Sequence, residues 1–62
     1  MDEATLNQIR TLIKEAKEKI PALEQELARA KAAGLADYVR VAEDTLQKTR
    51  DQLAQLETAY GR

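Results

Sequence analysis

Eleven acidic and ten basic side chains are the groups in this sequence with the means to do chemistry, and their spacing decides which kind. Acid–base catalysis needs carboxylates converging on one inward site, and a di-iron bundle needs Glu-x-x-His on facing helices. No inward pair of carboxylates occurs here, and no nucleophile sits beside a base. Histidine and cysteine are both absent, which removes imidazole and thiolate chemistry, disulfides, and the common zinc and di-iron sites. No catalytic residue, metal or cofactor is therefore expected, and the chain is not read as an enzyme.

The densest basic run is Lys14, Lys17 and Lys19, where three ammonium groups could contact phosphate as in small RNA-binding bundles. Glu15 and Glu18 interleave with them, and Glu15 and Lys19 are spaced as an i,i+4 ion pair, so a solvated face is the preferred reading. Net charge is −1, and no global field draws the chain to nucleic acid or an anionic membrane. There is no glycine-rich phosphate loop and no GxxxG. The first residues, Met-Asp-Glu-Ala-Thr, are acidic where a secretory signal is basic, and no apolar run is long enough to span a bilayer. A soluble, cytoplasmic protein is expected.

The elements that carry these charges follow from the apolar spacing. Leu6, Ile9, Ile13, Ala16, Ile20, Leu23, Leu27 and Ala30 alternate steps of three and four, the a and d positions of a heptad. After Gly34 the alternation resumes through Leu35, Val39, Ala42, Leu46, Thr49, Leu53, Leu56 and Tyr60, with Thr49 the only polar member. That period excludes strands. It predicts a first helix over about residues 3–33 with Asp2 as its cap, a turn in which Gly34 takes the left-handed conformation, and a second helix over about residues 36–60. Pro21 falls at an outward b position, so a kink is expected there in place of a break.

Folding the two seams together gives layers whose residue numbers share one sum. Val39 meets Ala30, Ala42 meets Leu27, Leu46 meets Leu23, Thr49 meets Ile20, Leu53 meets Ala16, Leu56 meets Ile13 and Tyr60 meets Ile9. The flanking e positions bring opposite charges together as Lys17–Glu57, Glu24–Arg50 and Lys31–Glu43, which helps to fix the orientation. The fold class is thus all-α, an antiparallel two-helix coiled-coil hairpin forming one domain over residues 1–62.

A two-helix layer leaves half of each seam side chain facing water, so dimerisation into a four-helix bundle is the simplest closure. The resulting assembly resembles Rop-like bundles in architecture alone, and no function follows from the likeness. The two flanks differ. One carries Arg10, Lys14, Lys17, Glu24, Lys31, Arg40, Glu43, Arg50 and Glu57 and reads as solvated. The other carries Leu12, Ala22, Ala33, Tyr38, Val41, Thr45 and Ala59 and widens the apolar stripe. These residues are the candidate interface, joined by Leu6, which lies beyond the end of the second helix in the layer scheme.

The function expected from this reading is a protein–protein interaction or structural module: a self-associating hairpin acting as adaptor, scaffold or small inhibitor. Its expected partners are a second copy and possible further proteins, with neither nucleic acid nor membrane. The alternatives are an RNA-binding four-helix bundle, which needs basic residues gathered on one exposed face, and a designed coiled-coil hairpin. The regular heptads speak for design, while Pro21, Thr49 and the irregular surface speak against it.

Overall fold

The computed structural model describes residues 2–61. It contains two helices, α1 over Glu3–Ala32 and α2 over Ala36–Tyr60, packed along their lengths as an antiparallel hairpin. The molecule measures 47 × 14 × 12 Å, and its long dimension matches the roughly 45 Å rise of a 30-residue helix.

Local chemistry explains where each helix begins and ends. Asp2 takes an extended conformation and its Oδ1 accepts from the Thr5 amide at 2.7 Å, a side-chain cap on the open end of α1. Hydrogen bonding from the Thr5 side chain, and then from the Thr5 amide, holds the Asp2 carboxyl below its usual range. At the turn, Gly34 has φ +73°. The Leu35 amide donates to the Ala30 carbonyl at 3.0 Å and the Gly34 amide to the Lys31 carbonyl at 3.1 Å, so the last carbonyls of α1 are satisfied by a Schellman turn. Helix α2 has no side-chain cap, and Asp37 lies in its first turn.

A Cβ added at Gly34 would meet nothing within 4 Å, so a substitution there tests the backbone angle alone. Gly34→Ala is expected to lower stability by about 1 kcal/mol, the approximate strain of a left-handed alanine. For a chain of this size that is a fall of about 5 °C in the melting midpoint, read by circular dichroism.

Helix α1 runs without interruption through Pro21. The proline ring points away from the seam, where the lost amide donor leaves its acceptor carbonyl open to water. The seam itself follows the heptad. Ala16, Ala30, Ala42 and Leu46 are buried, and Ile9, Ile13, Ile20, Leu23, Leu27, Val39, Thr49, Leu53 and Leu56 are half-buried. Leu46 and the alanines lie deepest, while the other large seam residues keep an outer edge in water. Thr49 fits this seam because its hydroxyl donates to the Thr45 carbonyl at 2.9 Å and so needs no partner across the layer.

Two seam positions keep more of their surface in water than the rest. Leu35 is 54% exposed, because the residue opposite it in the layer scheme is Gly34, which has no side chain to cover it. Tyr60 is 39% exposed, since it closes the last layer at the open end of the hairpin, where α2 stops.

Candidate protein interaction face

Cross-helix contacts fix the register on both flanks. On the charged flank, Arg50 Nη2 approaches Glu24 Oε2 to 3.9 Å across half-exposed side chains. Lys31 and Glu43 line the same open groove of about 410 Å³, with Leu27 and Leu46 at its floor. The expected Lys17–Glu57 and Lys31–Glu43 pairs do not close to ion-pair distance. Exposed long side chains lose more rotamer freedom in such pairs than the attraction returns. The pair that does form within α2 is Lys48 with Asp44 at 3.0 Å. Glu15 and Lys19 do not close either, although both line one cleft.

Arg10 makes a contact that the heptad alone does not announce. Its Nη2 donates to the Tyr60 hydroxyl at 2.8 Å, and the guanidinium lies 5.6 Å from the ring centroid. A cation over an aromatic ring together with a hydrogen bond pins the end of α2 against α1. The usable signal was Arg10 at an e position, next to the Ile9 that faces Tyr60.

On the opposite flank the structure leaves Leu12 and Tyr38 each 43% exposed and Val41 61% exposed. Ala22, Ala33 and Thr45 are exposed beside them, whereas Leu6 and Ala59 are half-buried within the chain. Leu12 borders a small cleft of about 50 Å³ with Glu15, Ala16, Lys19, Thr49 and Gln52, where the small Ala16 leaves the surface dented. Near the turn, Tyr38 donates its hydroxyl to Glu26 Oε1 across the two helices. This bond ties the Tyr38 side chain on α2 to α1 across the flank. Sequence reasoning named Tyr38 but missed Glu26, which occupies the matching g position of α1.

The Glu26 carboxylate raises the Tyr38 phenol above 10.0, chiefly through that hydrogen bond, with burial and the neighbouring charge acting in the same direction. The bond's contribution to stability is complete below the pKa of an unfolded tyrosine, about 10, and is lost as pH rises through the raised folded value. Denaturant titrations above pH 10 are therefore expected to show a steeper loss of stability in the native chain than in Tyr38→Phe.

The lysines of the basic run are divided between the faces. Lys14 and Lys17 lie with the charged flank, and Lys19 lies by the Leu12 cleft. Among the described residues no helix is long and apolar enough to cross a membrane. No family model matches this chain, and no curated protein or solved structure is found to match it.

Proposed function

We propose that this hairpin is a self-associating interaction module, in which two copies join through the Leu12–Tyr38–Val41 flank to make a four-helix bundle that serves as a scaffold or adaptor for other proteins. One observation carries this reading. The accessible surface is 4807 Å², whereas a compact chain of 7.0 kDa exposes about 4000 Å². The surplus of about 800 Å² is close to what one partner contributes to a standard interface. The radius of gyration, 14.4 Å against about 10.6 Å for a compact chain of this length, agrees that the layer is open.

The apolar flank is the side that supports closure. Leu12, Tyr38 and Val41 present large apolar surface there, and aromatic anchors are favoured at interface centres. A thermal unfolding series across protein concentration tests the reading, because association stabilises the folded state by mass action. The midpoint is expected to rise with concentration; an invariant midpoint over a thousandfold range (about 4 kcal/mol of possible linkage) would contradict it.

A further inference from the structure

The geometry points to an antiparallel pairing in which α1 of one copy lies on α1 of the second, about a two-fold axis passing Ala22; this rests on the self-association proposed above. Face-to-face packing of two identical layers admits two kinds of two-fold axis. An axis along the hairpin sets α1 on α2 of the other copy. An axis across it sets like helix on like helix, running in opposite directions.

The charges on α1 discriminate between them. Turned end for end about Ala22, the flank of α1 meets its copy with Glu15 opposite Arg29 and, one residue (about 1.5 Å) off strict register, Lys19 beside Glu26 and Leu12 beside Ala33. Both charged contacts join opposite signs, and the two-fold repeats each of them. All four charged side chains are exposed, and the ion pairs among the described residues, Lys48–Asp44 and Arg50–Glu24, involve none of them. Glu26 gives one oxygen to Tyr38 and keeps the other for a cation.

The same rotation places Tyr38 opposite Gln55, Val41 opposite Gln52 and Thr45 opposite Lys48 on α2, with no like charges in register. The lengthwise axis sets Glu15 against Gln55, Lys19 against Gln52, Glu26 against Thr45 and Arg29 against Val41. It offers no opposite-charge pair. The charged flank is a poor substitute for this face, because its α1 row holds Arg10, Lys14, Lys17 and Lys31 against Glu3 and Glu24, an excess of cations that would face itself.

A single introduced cysteine reads the orientation, since the chain has none. On mild oxidation of the intact protein, Ala22→Cys is expected to form a disulfide-linked dimer at least about tenfold faster than Ala33→Cys. In the antiparallel pair the two copies of position 33 lie about 30 Å apart, beyond disulfide reach. Comparable slow rates in both variants, with a dimer mass retained in sedimentation, would overturn the orientation and leave self-association standing. A monomer mass at every concentration would overturn self-association itself. Charge reversal gives a second reading: Arg29→Glu is expected to raise the dimer Kd about tenfold, and adding Glu15→Arg to restore it. Failure of the double variant to recover would also overturn the pairing.

Discussion

Leu46→Ala is expected to remove about 3 kcal/mol of stability, a third or more of what holds the hairpin folded. Leu46 is 6% exposed, while the other buried residues among those described are alanines. It sits in the layer with Leu23, between the buried Ala42 and the half-buried Thr49. Truncation removes the hydrophobic transfer energy of three carbons and opens a gap that two stiff helices cannot close. Chains of this size hold about 3–9 kcal/mol in total, so one layer is a large share. Helicity against denaturant checks this: Leu46→Ala should have lost most of its signal where the native chain retains it, whereas Leu53→Ala, at a half-buried position, should fall between them.

Val41→Glu is expected to weaken self-association about a hundredfold while leaving the isolated hairpin intact. At 61% exposure the side chain contributes little within one copy, and exposed substitutions usually change stability by less than about 0.5 kcal/mol. In the pair, two symmetry-related carboxylates would be drawn into the contact without partners. At about 1–3 kcal/mol for each group, the two together reach the roughly 2.7 kcal/mol that a hundredfold change requires. Gln25→Glu makes the same change in charge on an exposed, outward position and is expected to have no such effect. Dimer fraction during dilution compares the two. Equal behaviour would place the contact elsewhere on the molecule.

The hairpin was legible because every level of the sequence agrees with it. The three-and-four alternation, Asp2 before the first helix, Gly34 with an apolar residue behind it, and the outward Pro21 each specify the same architecture. The helix bounds fall within a residue of those expected. The seam is least covered where the heptad rule has no neighbour to act on. Leu35 has only Gly34 opposite it, and Tyr60 has no further turn of α2 beyond it. Surface ion pairs were the other weak point: of three expected across the seam, Glu24–Arg50 forms. Spacing brings charged groups within reach but says little about whether solvated lysines stay there. The contacts that do tie the flanks, Arg10 with Tyr60 and Tyr38 with Glu26, use aromatic hydroxyls, which a pattern of apolar and charged letters does not represent.

The candidate face was legible as a region more than as a set. Leu12, Tyr38 and Val41 are exposed as the flank comparison required. Leu6 and Ala59 are partly covered within the chain. The exposed remainder is concentrated in the part of the flank between Leu12 and the turn.

Sedimentation equilibrium of the intact chain, from low micromolar to millimolar concentration, decides whether the hairpin pairs with a second copy. The average mass is expected to move from 7.0 kDa toward twice that value as concentration rises. A mass of 7.0 kDa throughout, in a chain that still unfolds cooperatively, would contradict it and make the hairpin a complete fold by itself.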